Sequence, residues 1–314
     1  DSNEQVILSP QRDRLQSKVE EPVNTMPNSN VVVADKLPPP STVKPRRFSM
    51  PILGLIGLCI VVFWLLMAVI GPTISPYDAG QIVDADVFGG LSRKLLLGSD
   101  YLGRDMLSRI LFGTRYTIGL ALAATLLACS IGTGLALCAA LAGGWVDAVM
   151  SRTLDALISI PSKMFALMMV ASFGSSPELL IITAAITYMP GSYRISRALA
   201  VNVQTMEYVQ AARARGEGAL YITCIEMLPN MIRPVLADAG LRFVFVVLLL
   251  SGLSFLSLGV QPPDADWGSL VRENIAGLGE GAPAVIMPAL AIATLTIGVN
   301  LLIDNLRGKR SRKD

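Results

Sequence analysis

Six apolar stretches punctuate the chain, and polar segments of different character separate them. Residues 51–70, PILGLIGLCIVVFWLLMAVI, form an uncharged run of 20. At the helical rise per residue that is enough to cross a hydrocarbon core of about 30 Å. GPTISPYD then supplies the Gly and Pro expected to end the helix. Residues 116–146 follow as a second uncharged run of 31, long enough to span with tilt. The third, 157–176, is apolar apart from Lys163, and the fourth, 179–201, carries Arg194 and Arg197 in its last turns. Ser175-Ser176-Pro177-Glu178 makes a polar hinge between them. The fifth begins near Pro234 and runs through FVFVVLLLSGLSFLSLG, and the sixth is an uncharged stretch of 23 residues, 281–303. Residues 1–48 have no periodicity and are rich in Pro, Ser, Asn and charge, which predicts a disordered tail. That tail lacks the order of a cleaved signal peptide.

Composition agrees with this pattern. Hydrophobic residues make up 52% of the 314, charged residues 16%, and mean hydropathy is +0.55. A net charge of +2 offers no footprint for nucleic acid, and the absence of His removes imidazole acid–base chemistry and His metal sites. Cys59, Cys129, Cys138 and Cys224 form no CxxC and read as small packing residues. The positions of the basic residues say more than their sum. Lys44, Arg46 and Arg47 precede the first run, and RGKRSRKD follows the last. By the positive-inside rule both ends face the cytoplasm, so the number of crossings is even, and six fits. The expected fold is an all-α membrane protein of six transmembrane helices, N-in and C-in. Its parts are a cytoplasmic tail (1–48), a first helix (49–72), an extracytoplasmic segment (73–115), a core of five helices (116–306) and a basic cytoplasmic tail (307–314).

This topology puts the polar insert between the fourth and fifth runs, EYVQAARARGEGALYITCIEMLPNMIRP, on the cytoplasmic side with its Arg residues. Thr205 is placed to cap a helix with Glu207 in its first turn and Arg213 and Arg215 in its last, matching the helix dipole. Gly216 falls where a left-handed residue closes a helix. A second helix starting at Glu217 has an apolar stripe of Leu220, Tyr221, Cys224, Ile225 and Leu228, and Leu228-Pro229 is expected to end it. Two readings of this hairpin, 205–232, stand side by side. It rests on the bilayer surface, or its small side at Ala211 and Ala212 docks against another protein.

Other positions carry their own alternatives. Ser130 and Gly134 have the spacing that lets another helix approach closely. Asp100, Arg104 and Asp105 lie before the second run, either as part of a docking face or as a turn leading into an interfacial helix. In the second case Arg104, Arg109 and Arg115 reach headgroups. Pro262, Pro263 and Trp267 form a rigid outer turn, either a further part of that docking face or a plain turn with Trp267 as an interfacial anchor. Asp264, Asp266 and Glu273 suit a solvated rim better than a metal site. Asp238 and Arg242, four apart with the acid first, are a helical ion pair within reach of the membrane interior. They either line a pathway as a gate or satisfy each other at its cytoplasmic end.

AARARG…LP resembles the cytoplasmic EAA signature of ABC importer membrane subunits, with Gln210 and Glu226 replacing the usual Glu and Ile. LLGSDYLGRDMLSRILFGTR, LDALISIPS and LSFLSLGVQPPDADWG resemble segments of one branch, the permeases of oligopeptide, dipeptide and nickel importers. The resemblance covers roughly residue 94 to the C-terminus. It implies a type I importer permease fold of the bacterial inner membrane, with the hairpin as the ATPase-coupling element. Its residues there are Gln210, Ala211, Ala212, Arg213, Arg215, Gly216, Leu228 and Pro229. It implies as partners a second homologous permease, two ATPase subunits and an extracytoplasmic binding protein, besides membrane lipid. The chain has no GxxxxGK[ST]. The expectation is therefore that it binds no cofactor and that ATP and Mg are used by the partner ATPases. Peptides are the expected cargo, nickel or a metal chelate the alternative. The rival class is a secondary transporter or channel, which predicts matched broken repeats, and no second AARARG…LP is present.

Overall fold

The computed structural model describes residues 52–307, and the tail at 1–48 and nearly all of the basic end at 307–314 lie outside them. Each apolar run becomes helix, and the described residues hold no strand, only two isolated bridges, Ile82 with Arg104 and Ser99 with Asp105. Helix α1 (Ile52–Ile74) buries only Gly54, Gly57 and Gly71, the small residues on which its neighbours rest. A Cβ on Gly57 would stand 2.8 Å from the Gly298 carbonyl oxygen of α10 (Pro283–Arg307), so two backbones meet there. The rest of α1 exposes Leu, Ile, Val and Phe side chains. The helix ends inside GPTISPYD as expected, at Ile74, two residues beyond Pro72. Pro72 forfeits one hydrogen bond in the last turn, while Gly71 closes against the Leu111 carbonyl of α2.

Helix α2 (Met106–Ala142) starts ten residues before the uncharged run. Its start is set by its cap rather than by the loss of charge: Asp105 accepts from the Ser108 backbone N–H at 2.8 Å. It ends at Gly143, whose φ of 60° turns the chain into α3. Small residues bring α2 onto α5 (Pro177–Gln204). A Cβ on Gly132 would lie 2.8 Å from the Met189 carbonyl, and Thr133 and Ser196 hydrogen-bond at 2.9 Å. The contact face is Ala128, Gly132 and Ala136, all buried, not Ser130 and Gly134, which are exposed. Two residues turn a helix by about 200°, so a four-residue spacing displaced by two points the opposite way. The cysteines divide likewise, with Cys129 buried and Cys59, Cys138 and Cys224 exposed. The packing reading therefore holds for Cys129 alone.

The third run is not one straight helix. Its first two residues, Leu157 and Ile158, end the charged α3 (Gly144–Ile158), and most of the rest forms α4 (Ser162–Phe173), the two axes bending by 82°. Pro161 drives Ile160 away from the α conformation and breaks the run. After α5 comes α6 (Glu207–Ala214), then α7 (Ala219–Tyr221), a π-helical turn (Ile222–Met227) and α8 (Leu228–Phe255). The last three make one unbroken helix of 37 residues, so Leu228-Pro229 ends nothing. The Leu228 N–H reaches back five residues to the Thr223 carbonyl, and this widened turn accommodates the Pro229 ring in the following turn. A short α9 (Trp267–Glu273) and a 3₁₀ turn (Ile275–Glu280) lead into α10.

Among the described residues four helices are long and apolar enough to cross a membrane, or five if α3 and α4 count as one bent span. Helix α5 has the length, 28 residues, but is more polar, with Arg194 and Arg197 in its second half.

Candidate functional site

The long helix from Ala219 to Phe255 carries three candidate regions: the hairpin at its start, the ion pair in its middle, and the cap of α9 beyond its end.

At the hairpin, Gly216 has φ +80° and closes α6 with two bonds. Its own N–H reaches the Arg213 carbonyl and the Glu217 N–H reaches Ala212. This is the paired closure that a left-handed residue after a helix allows. The opening cap differs from expectation. Thr205 terminates α5, its hydroxyl donating to the Asn202 carbonyl at 2.8 Å, and Met206 occupies the cap position of α6. Ala211 and Ala212 do not share a face. Ala212 is fully buried with Val209, Ile222, Met227 and Met231 in a small core against the ends of α2 and α5. Gln210, Ala211, Arg213, Arg215, Gly216 and Pro229 are exposed, and Leu228 is half-buried. The predicted apolar stripe points outward. Leu220 is 82% exposed, and Tyr221, Cys224 and Ile225 are exposed beside it. The second helix instead buries Ile222 and Met227, because the π turn rotates the register away from a 3.6-residue repeat. Arg215 bridges the hairpin to Glu217 at 3.6 Å and Glu226 at 3.7 Å.

In the middle of α8 the predicted ion pair is present and buried. Arg242 Nε donates to Asp238 Oδ2 at 2.6 Å and Nη2 to Oδ1 at 3.2 Å. Nη1 donates to the Tyr188 carbonyl of α5 at 3.2 Å. Asp238 is 2% and Arg242 8% exposed. The guanidinium lies on Gly191, where a Cβ would come within 2.6 Å of Nη1. Arg242 borders a cavity of about 490 Å³ between the α3–α4 bend, α5 and α8.

At the far end of α8 the candidate docking residues turn inward, except Pro262 and Pro263. Asp100, fully buried, accepts from Arg104 Nε and Arg109 Nη1, both at 2.7 Å, and from two backbone N–H groups. Glu273 of α9 accepts from the same Arg109 nitrogen at 2.8 Å. Arg104 and Arg109 thus bind carboxylates rather than lipid headgroups, and only Arg115 stays exposed. Each desolvated guanidinium has two acids to compensate it. Asp105 is buried as the cap of α2. Trp267 is no interfacial anchor. It is fully buried, its indole N–H donates to the Ile110 carbonyl at 3.1 Å, and its ring meets Trp64 edge-on at 4.7 Å. Asp266 is not part of a solvated rim. It caps α9, accepting from Ser269 N at 2.9 Å and from the Ser254 hydroxyl at 2.8 Å. Burial pushes its carboxyl above the usual range, and these hydrogen bonds oppose the rise. Pro262, Pro263 and Asp264 remain exposed. Among the described residues no three His, Cys, Asp or Glu side chains gather as metal donors. Sequence reasoning missed Glu273 as a partner of Arg109, 164 residues apart, and Gly191 as the seat of Arg242; no local pattern marks either.

The family described as binding-protein-dependent transport system inner membrane component matches residues 132–312. The N-terminal TM domain of oligopeptide transport permease C matches residues 46–88. A dipeptide transport system permease protein DppC of Haemophilus influenzae is 29% identical over 81% of this chain and 88% of its own length. A glutathione transport system permease protein GsiD of Pectobacterium atrosepticum is 31% identical over 83% and 87%. A di/tripeptide transport system permease protein DppC of Pseudomonas aeruginosa is 30% identical over 81% and 85%. The matches span more than half of the chain and its apolar helices, and the chain therefore belongs to the family of binding-protein-dependent transport system inner membrane components, as a membrane-spanning permease subunit.

Proposed function

We propose that this chain forms half of the translocation pathway of an ATP-driven importer of short peptides. The relatives' names, for dipeptide, di/tripeptide and glutathione transport, support peptides over nickel or a metal chelate as cargo. In this reading α1, α2, the bent α3–α4 pair, α5, α8 and α10 are six crossings, with both termini in the cytoplasm. A second homologous permease completes the pathway. Two separate ATPases use ATP and Mg, this chain performs no catalysis, and an extracytoplasmic binding protein delivers cargo.

The observation that carries the proposal is the unbroken helix from Ala219 to Phe255. It starts in a hairpin that offers bare apolar side chains, Leu220 and Ile225, and Arg242 sits further along it beside a cavity. A push on the hairpin by an ATPase would move Arg242 with it, because a hydrogen-bonded helix transmits force along its axis. Asp238 and Arg242 would then act at the gate of the pathway.

The test is reconstitution. Proteoliposomes holding both permeases and both ATPases should accumulate a labelled di- or tripeptide only with binding protein and ATP. Uptake by this chain alone, driven by an ion gradient, would instead favour a secondary transporter and end the importer reading.

A further inference from the structure

The cavity at the α3–α4 bend has an unusual lining. Its polar side chains include two cations, Arg194 and Arg242, and no acid borders it. The remaining lining is mostly aliphatic, from Leu157 and Ile160 on the bend to Ile186 and Ile195 on α5, with Ser162 and Thr187 as hydroxyl groups. Arg242 does not spend its whole donor set on the protein. A guanidinium has five N–H groups. Among the described residues one from Nε and one from Nη2 go to Asp238, and one from Nη1 goes to the Tyr188 carbonyl. Two remain, one on each Nη, on a residue that is 8% exposed and borders the cavity.

A pair of donors on adjacent nitrogens matches the two oxygens of a carboxylate. Asp238 fixes the guanidinium plane from one edge, and Gly191 leaves it room on the other, since a Cβ there would press on Nη1 and Nη2. Arg194 is exposed and only loosely paired with Asp155 at 3.7 Å, so the buried charge is that of Arg242. A largely aliphatic cavity with a buried, positioned pair of donors on one wall can orient a small ligand by one end.

We propose that this cavity is a subsite of the pathway that receives the C-terminal carboxylate of the passing peptide on the two free Nη–H groups of Arg242. It rests on the peptide-importer reading and adds an end-specific contact within the membrane subunit.

The test uses the complete transporter in proteoliposomes and one labelled tripeptide, as the free acid and as the C-terminal amide. Binding protein and ATPases stay constant, so discrimination that belongs to them survives any change in this chain. With the native chain the free acid should enter faster. In Asp238→Asn with Arg242→Gln, a neutral pair of similar size, its advantage should shrink by about tenfold or more, the loss of a hydrogen-bonded charge contact. Gly191→Ala, which displaces the guanidinium without removing charge, should shrink it too. Stimulated ATP hydrolysis reports that each variant is assembled. An unchanged acid-to-amide ratio in both variants, or no preference in the native complex, overturns the subsite while leaving peptide import standing. If neither form enters although ATP turns over, the peptide reading itself fails, and the subsite with it.

Discussion

The two ends of the long helix handle charge and apolar surface in opposite ways. Beyond its C-terminal end, Asp100, Arg104, Arg109 and Glu273 interlock out of solvent and Trp267 is sealed beneath α1 and α2. At the hairpin, Leu220 and Ile225 lie bare while Arg215 reaches its acids across 3.6–3.7 Å in the open. One end is a finished interior. The other is a surface whose apolar groups have no partner within the described residues. The contrast separates residues that hold the subunit together from residues available to another protein.

If that contrast is right, its largest effect lies at the interlocked end. Arg109→Ala leaves Asp100 and Glu273 buried with only Arg104 to compensate them, and should cost about 3–5 kcal/mol. Thermal unfolding of the detergent-solubilised subunit measures this, and a loss below about 1 kcal/mol would mean the cluster is not buried as described. Next is Asp266→Ala. It removes the α9 cap and strands the Ser254 and Ser269 donors, for a loss of about 1–2 kcal/mol by the same measurement.

At the hairpin the stability effects are smaller and the functional ones larger. Gly216→Val forces a β-branched residue to φ +80° and should cost about 1–2 kcal/mol while lowering transport per ATP hydrolysed. Normal coupling in that variant would remove the hairpin from the coupling role. Leu220→Asp touches a side chain that is 82% exposed, so unfolding should shift by no more than about 0.5 kcal/mol. Its effect should appear instead as weaker copurification with the ATPases. The smallest effect belongs to Glu226→Ala, which loosens one long, solvent-facing pair and should change stability by about 0–1 kcal/mol.

Much of this was legible beforehand for physical reasons. Apolar runs long enough to cross a bilayer declare themselves by length alone. Gly216 declared itself because a left-handed closing residue must be nearly free of Cβ strain. Asp238 and Arg242 did so because four residues bring two side chains onto one helix face. The α3–α4 break falls at the start of an apolar run, where Pro161 marked its place, but the charged α3 before it gave no sign of a helix bent against that run. The stripe at Leu220, Cys224 and Ile225 misled because a single π turn shifts the register, and no local composition announces one.

The sequence by itself thus determined that the chain is a helical membrane protein, where most helices lie, and where its polar hairpin turns. These follow from local rules of burial, spacing and backbone freedom, which act over a few residues. Only the tertiary structure decided which face of α2 meets α5, that Arg109 finds Glu273, and that Gly191 seats the guanidinium of Arg242 beside a cavity. Those outcomes depend on helices far apart in the chain meeting at van der Waals distance. A charge that looks solvated in one segment is buried or exposed according to what the distant segment brings to it.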